Sequence, residues 1–70
     1  MERNSVESSM IASIGHEPET STLEIEFKNG QVWQYFDFTE SDYSEFSNSD
    51  SIGKHFLQNI RGQYTENQIG

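Results

Sequence analysis

The sequence predicts an α+β fold, in which a three-stranded antiparallel β-meander is followed by two short C-terminal helices packed on one face. The first half of the chain contains three segments in which apolar and polar residues alternate, as in half-buried strands. The dipeptide Asn29-Gly30 lies between the last two segments and tolerates the positive φ angles of tight hairpins. After Phe38 the apolar residues are spaced by three or four, which is typical of helices.

The first predicted strand covers residues 9–16, and the second covers residues 22–28. Pro18 fixes its φ angle and lacks an N–H donor, so residues 17–20 are expected to form the turn between them. A regular first strand places Met10, Ala12 and Ile14 on one side, opposite Ile11 and Ser13. The second strand has an apolar face of Leu23, Ile25 and Phe27 and a charged face of Glu24, Glu26 and Lys28.

The third predicted strand, residues 31–38, contains the only tryptophan, and its register against the second strand has two solutions. A two-residue loop would place Trp33 and Tyr35 on the charged face of the hairpin. A three-residue loop with a bulge at the glycine would pair them with Ile25 and Leu23 in the core. The sequence leaves both registers open, although the cost of exposing aromatic rings favours burial of most of Trp33.

The first predicted helix follows Thr39, which can act as its N-cap. Glu40 and Asp42 then lie in the first turn, where the helix dipole favours acidic residues. Tyr43 and Phe46 are three residues apart and share one face of this helix.

The second helix is predicted over residues 51–61, after a break at residues 47–50. Gly62 is placed to end it, because glycine readily adopts the left-handed conformation of a helix C-terminus. In the tail, Tyr64 is the residue expected to dock on the core. The apolar stripe of the helix consists of Ile52, Phe56 and Ile60. Leu23, Ile25 and Phe27 of the sheet should meet Phe46, Phe56 and Ile60 of the helices.

Seventy residues are sufficient for one small domain, residues 1–70, with an expected ordered core of about residues 6–64. The chain has no cysteine, which excludes a disulfide framework, a thiolate zinc site and a cysteine nucleophile. Because no apolar run approaches the length of a membrane span or a signal-peptide core, we expect a cytoplasmic protein with no membrane association.

The net charge of −8 is unevenly distributed. Residues 1–50 contain two cations against eleven acidic residues, whereas residues 51–70 contain two cations against Glu66 alone. Most of the surface should therefore repel nucleic acid, and the C-terminal segment alone is electrostatically permissive.

A nucleic-acid interface is the first functional hypothesis. In a regular α-helix, Lys54 and Arg61 would lie within ~20° of each other and ~10 Å apart along the axis, opposite the apolar stripe. They could contact two phosphates while Trp33 or Tyr35 stacks on a base, and Lys28 is a further cationic candidate. Such a site would bind RNA or tRNA weakly, because it makes few phosphate contacts.

An acidic protein-interaction surface is the alternative hypothesis. Such a surface could mimic a phosphate backbone and occupy the basic groove of a nucleic-acid-handling protein, as inhibitory phage proteins do. Solubility alone would also explain the excess of acidic residues. The residues that would form the surface are Glu24, Glu26, Asp37, Glu40, Asp42 and Glu45.

Catalytic motifs are incomplete in this sequence. Residues 16–20, H-E-P-E-T, begin like the zinc-binding motif H-E-x-x-H, but the second histidine is missing and Pro18 prevents the helix. There is no G-x-S-x-G nucleophile motif and no glycine-rich phosphate loop. We therefore expect a protein without enzymatic activity, metal site or cofactor.

Six short motifs occur in order between Val6 and Tyr64: V-E-S-S, I-x-S-I-G, L-E-I-E-F-K-N-G, Y-F-D, G-K-x-F and I-R-G. Their combination resembles the KTSC family, which is named for a segment at the C-terminus of some lysyl-tRNA synthetases and also occurs as small bacterial and phage proteins. The resemblance implies a nucleic-acid-binding role. The helix motif S-x-G-K-x-F of the family falls on Ser51, Gly53, Lys54 and Phe56, and I-R-G falls on residues 60–62.

The chain also departs from the family pattern. Ile52 replaces a lysine that is common in relatives, and the tail Q-Y-T-E-N-Q-I-G replaces a basic, aromatic one. These departures remove part of the positive charge that binding to nucleic acid would use.

Overall fold

The computed structural model describes residues 1–70 and contains an antiparallel sheet with helices on one face. The second helix continues directly as a π-helical stretch, which we call the π segment. The strands are β1 (Asn4–Ser5), β2 (Ile11–Glu17), β3 (Thr22–Phe27), β4 (Val32–Tyr35) and β5 (Glu66–Gln68). The helices are α1 (Glu40–Ser47) and α2 (Ile52–His55), and the π segment is Phe56–Ile60.

The predicted α+β class is confirmed, but the sheet has five strands rather than three, arranged in chain order. The two strands that were not predicted form its edges: β1 pairs with β2, and β5 pairs with β4. Every residue of these edge strands is exposed. Short polar strands have no alternation of apolar and polar residues, so the pattern that identified the other three strands is missing.

A β-bulge changes the predicted faces of β2. The register against β3 shifts between Ile11 and Ser13, and Ala12 has no partner in the ladder. A bulge adds one residue to one strand and so reverses the alternation beyond it. As a result Ile11 and Ile14, which were predicted on opposite sides, are both buried in the core.

The β3–β4 hairpin adopts the register of the three-residue loop, which places Trp33 and Tyr35 opposite the apolar residues of β3. Gly30 has a φ angle of +92°, which a residue without Cβ adopts at little cost. The N–H of Gly30 donates to the carbonyl of Phe27 at 3.0 Å, and the N–H of Phe27 donates to the carbonyl of Gln31 at 2.8 Å. The structure thus selects one of the two registers that the sequence left open.

Both helices begin at side-chain caps. The predicted cap of α1 is confirmed: the Thr39 hydroxyl accepts the N–H of Asp42 at 3.1 Å, and the Asp42 carboxylate accepts the N–H of Thr39 at 3.3 Å. In α2 the Ser51 hydroxyl accepts the N–H of Lys54 at 3.3 Å. Neither helix is long and apolar enough to span a bilayer.

The π segment replaces the last turns of the predicted second α-helix. The N–H of Arg61 donates to the carbonyl of Phe56, five residues earlier, at 2.9 Å. Ile52 and Phe56 are four residues apart in the α-helical part, which is one turn plus about 40°. Phe56 and Ile60 are four residues apart in the π segment, which is less than one turn of that wider helix. The two deviations offset each other, so Ile52, Phe56 and Ile60 all face the core.

The predicted contact between sheet and helices is confirmed. Leu23 and Ile25 belong to the same buried cluster as Phe46, Phe56 and Ile60. The ring of Phe56 also packs edge-on against Phe27 and Tyr35, with ring centroids 5.3 and 5.8 Å apart. Each such pair contributes about 0.5–1.5 kcal/mol beyond the area that it buries.

Gly15 generates a prediction about the N-terminal edge of the sheet. A Cβ atom at Gly15 would lie 2.3 Å from the carbonyl oxygen of Glu2. Because that atom belongs to the backbone, we expect Gly15→Ala to displace β1 and to lower the free energy of unfolding by about 1–3 kcal/mol. Urea denaturation measures the loss of stability, and hydrogen exchange of the β1 amides measures the displacement.

Gly53→Ala is the matched control. Its Cβ would meet only the side chains of Ser8 and Met10, at 3.1 and 3.6 Å, and alanine improves helix propensity by about 1 kcal/mol. We therefore expect a smaller change in stability and unchanged exchange in β1. Equal destabilisation by both substitutions would contradict the assigned role of Gly15.

Candidate functional site

Trp33 and Tyr35 lie on the helix-covered face of β4 but differ in exposure. Trp33 is half-buried, and its indole N–H donates to the side-chain oxygen of Gln31 at 3.1 Å. Tyr35 is 2% exposed and packs under Phe56. This burial corrects the prediction that Tyr35 could stack on a base, because no ligand reaches its ring in the folded chain. Trp33 is left as the aromatic candidate of the pair.

Arg61 and Lys54 have different neighbours. Burial raises the pKa of the Tyr35 hydroxyl, the charge of Glu66 raises it further, and the charge of Arg61 opposes the rise. The charge of Arg61 thus acts on the Tyr35 hydroxyl, and Glu66 is the partner of Tyr35 in the β4–β5 ladder. Lys54 instead lines a shallow polar cavity of about 290 Å³ with residues 49–51. The π segment between the two cations alters the angular spacing on which the prediction relied.

Lys28 is exposed in the β3–β4 loop, at the end of β4 remote from Tyr35. The four-residue step along β4 from Gln31, at the loop, to Tyr35 corresponds to about 13 Å. Trp33 lies midway along this path, between the loop that contains Lys28 and the end at Tyr35, where the charge of Arg61 acts on the tyrosine hydroxyl. We call Lys28, Trp33 and Arg61 together the Trp33 surface.

The acidic face of the sheet is occupied by contacts within the chain. Glu24 forms an ion pair with Arg3 and accepts a hydrogen bond from the side-chain amide of Gln34 at 3.0 Å, so that its side chain is only 8% exposed. Glu26 accepts a hydrogen bond from the Ser13 hydroxyl at 2.9 Å. These partners correct the prediction that Glu24 presents an exposed charge, because Arg3 neutralises and covers it.

The other predicted acidic residues lie away from that face. Glu40 and Glu45 are exposed on α1, while Asp42 accepts hydrogen bonds from the Thr39 N–H and from the Tyr64 hydroxyl at 3.4 Å. Asp37 is exposed in the turn after β4, with a φ angle of +57°. The helices cover one side of the sheet and Glu24 faces the other, so the six residues do not form one surface.

A cavity of about 380 Å³ lies between α1, the second helix and the C-terminal tail. Sequence reasoning predicted that Tyr64 docks, which is confirmed by its ring contact with Phe38 at 4.9 Å, but it did not predict the cavity. Burial raises the pKa of the Tyr64 hydroxyl, and Asp42 and Glu45 raise it further. The lining residues are Phe38, Asp42, Glu45, His55, Asn59, Ile60 and Tyr64.

The histidine of the H-E-P-E-T stretch is held in a packing position. The His16 ring donates from Nε2 to the carbonyl oxygen of Phe38 at 2.6 Å and stacks on Tyr43 at a centroid distance of 5.1 Å. The other histidine, His55, packs against Phe46 and lines the cavity. His16 therefore joins the end of β2 to α1.

Comparison with known proteins identifies close relatives of this chain. A family model described as the KTSC domain matches residues 7–64, which confirms the resemblance noted in the sequence. The chain also superposes on the crystal structure of a KTSC domain protein from Yersinia pestis with a TM-score of 0.93 and 36% identity. That superposition covers 99% of this chain and 97% of the other.

Two curated relatives differ greatly in length. An uncharacterised protein from Stutzerimonas stutzeri is 33% identical over 64 residues, which cover 91% of this chain and 90% of that protein. A lysine–tRNA ligase from Nostoc punctiforme is 36% identical over 63 residues, which cover 90% of this chain but 11% of the ligase. This chain therefore spans only about a tenth of the ligase.

The buried hydroxyl of Tyr35 generates a prediction about alkaline pH. Its pKa is raised in the folded chain, mainly by burial, so folding favours the neutral phenol. The resulting stabilisation is complete below the unfolded-state pKa of about 10 and is lost as the pH rises through the folded-state pKa. We expect the free energy of unfolding to fall above pH ~10, and to fall less steeply in Tyr35→Phe.

Urea denaturation at several pH values between about 8 and 11 measures this dependence. A residual slope is expected in the variant, because burial also raises the pKa values of Tyr43 and Tyr64. Identical slopes in the variant and the unaltered chain would show that Tyr35 titrates alike in both states.

Proposed function

Because the chain belongs to the KTSC domain family, we propose that it is a small non-catalytic module that binds single-stranded RNA weakly at the Trp33 surface. The observation that carries the proposal is the partly exposed indole of Trp33, which has the exposed Lys28 in the loop at one end of its strand and Tyr35, on whose hydroxyl the charge of Arg61 acts, near the other. An indole offers a stacking plane to a base, while the two cations offer charge to the flanking phosphates.

The magnitudes agree with weak binding. Stacking of one base on an aromatic side chain contributes about 1–3 kcal/mol. Two phosphate contacts on a single strand give a slope of about −1.4 for the logarithm of affinity against the logarithm of salt concentration. The net charge of −8 opposes the approach of any nucleic acid, so measurable binding requires low salt.

RNA is the preferred ligand because of the relatives. A lysine–tRNA ligase is named for an activity on tRNA, and one such ligase contains a segment 36% identical to this chain. A small module that contributes contacts to RNA is consistent with that association. Lys54, on the outer side of the second helix, lies outside the Trp33 surface and provides a comparison site.

A matched pair of charge reversals tests the proposal. Arg61→Glu and Lys54→Glu change the net charge equally, but only Arg61 belongs to the Trp33 surface. We expect Arg61→Glu to weaken binding of tRNA and of a single-stranded RNA several-fold and to make the salt slope shallower by about 0.7. Lys54→Glu should have a smaller effect on both quantities.

The measurement is quenching of Trp33 fluorescence during titration with RNA at low salt. Because Trp33 is the only tryptophan, its emission reports the proposed stacking directly. A salt-reversible quench that Arg61→Glu diminishes is the expected result. Unchanged emission, or equal weakening by the two charge reversals, would overturn the proposal.

The exposed acidic residues of α1 favour a second candidate function, binding to a basic protein. Glu40 and Glu45 are exposed, and α1 carries no basic residue in its last turn. A basic nucleic-acid-handling protein is the partner class that this charge suits. We expect binding to an oligo-arginine peptide that weakens as salt increases, measured by calorimetry, and an affinity independent of salt would contradict it.

A further inference from the structure

The cavity under α1 combines one accessible aromatic ring with two carboxylates. Tyr64 packs on the buried ring of Phe38 at one side, and Asp42 and Glu45 supply carboxylates at another. Its volume of about 380 Å³ lies within the range of small-ligand pockets, about 300–1,000 Å³. An aromatic face and a carboxylate both attract a cation, and together they resemble sites that hold organic cations.

The carboxylates of this cavity have no cation of their own. The one ion pair of the chain joins Arg3 to Glu24, and no lysine or arginine lines the cavity. Glu45 also lies near the C-terminus of α1, where the helix dipole disfavours a negative charge.

We infer that this cavity binds a guanidinium group, presented by an arginine side chain of a partner protein. A guanidinium is planar and weakly hydrated, so it can stack on the Tyr64 ring while its N–H groups donate to carboxylates such as Glu45. An ammonium would use the carboxylates but would gain less from the aromatic wall. Asp42, Glu45 and His55 are not arranged to hold a metal ion together.

The surroundings favour an arginine within a basic segment over a free amine. Glu40 lies on the same helix as the two carboxylates. The neighbouring shallow cavity, which shares His55 and Asn59 with this one, contains both Asp50 and Lys54, so its formal charges cancel. The negative charge that meets residues flanking the inserted arginine is therefore that of α1. This inference deepens the second candidate function and is independent of RNA binding at the Trp33 surface.

The first experiment compares two probes that differ only in charge. Acetyl-arginine amide and acetyl-citrulline amide have nearly the same shape, but citrulline is neutral. We expect the arginine probe to shift the backbone amide signals of Glu45, Asn59 and Tyr64 in an NMR titration, and citrulline to bind at least fivefold more weakly. Equal shifts with both probes, or none with arginine, would overturn the inference.

A matched pair of variants then locates the site. Glu45→Gln and Glu40→Gln remove one charge each from exposed positions of α1, but only Glu45 lines the cavity. We expect Glu45→Gln to weaken the arginine probe about fivefold or more without lowering the thermal unfolding temperature. Glu40→Gln should change the affinity less than twofold. Equal weakening by the two variants would indicate general charge attraction and would overturn the inference.

Peptides distinguish this inference from the candidate function on which it rests. Gly-Gly-Arg-Gly-Gly should bind at least as tightly as acetyl-arginine amide. The corresponding peptide with lysine in place of arginine, Gly-Gly-Lys-Gly-Gly, should bind more weakly than the arginine peptide. Oligo-arginine binding that survives Glu45→Gln unchanged would refute the cavity site while supporting an acidic interaction surface. Loss of oligo-arginine binding in the unaltered chain would refute the protein-partner function and the inferred source of the guanidinium, even if the single-arginine probe still binds.

Discussion

The register of the β3–β4 hairpin is the constraint on which the rest of the structure depends. With Gly30 in a left-handed conformation, the loop has three residues, and Trp33 and Tyr35 face the helices. A loop one residue shorter would turn both rings to the opposite face. Phe56 would then lose the Tyr35 ring against which it packs, 5.8 Å away. The docking of the second helix, and therefore the cavity beside it, follows from the conformation of one glycine.

This register could not be predicted, because Asn29-Gly30 is compatible with both loop lengths. The difference lies in the packing of Tyr35 against Phe56, which is distant in sequence. By contrast, the start of α1 was predictable, because Thr39 and Asp42 complete a local capping box. The edge strands β1 and β5 were missed because backbone hydrogen bonds hold them, and any residue except proline can make such bonds.

The candidate sites were predictable to a similar degree. Alternation correctly placed Glu24 on the charged face, but its burial depends on Arg3, which the unpredicted strand β1 brings across the sheet. The exposure of Trp33 relative to Tyr35 follows from the position of the second helix, which no local pattern specifies. The acidic cavity has the same origin, because its walls come from α1, the second helix and the tail. Local chemistry therefore identified residues, and tertiary packing decided their accessibility.

The π segment determines how the two proposed sites are placed. Relative to a continuous α-helix it contains one extra residue per turn, which rotates everything beyond it by about 100°. A straight helix would have aligned Arg61 with Lys54, whereas after the π segment the charge of Arg61 acts on the Tyr35 hydroxyl and Asn59 lines the acidic cavity. The same widening keeps Ile60 in the core. One local change in helix geometry thus affects both proposed sites, which have no residue in common.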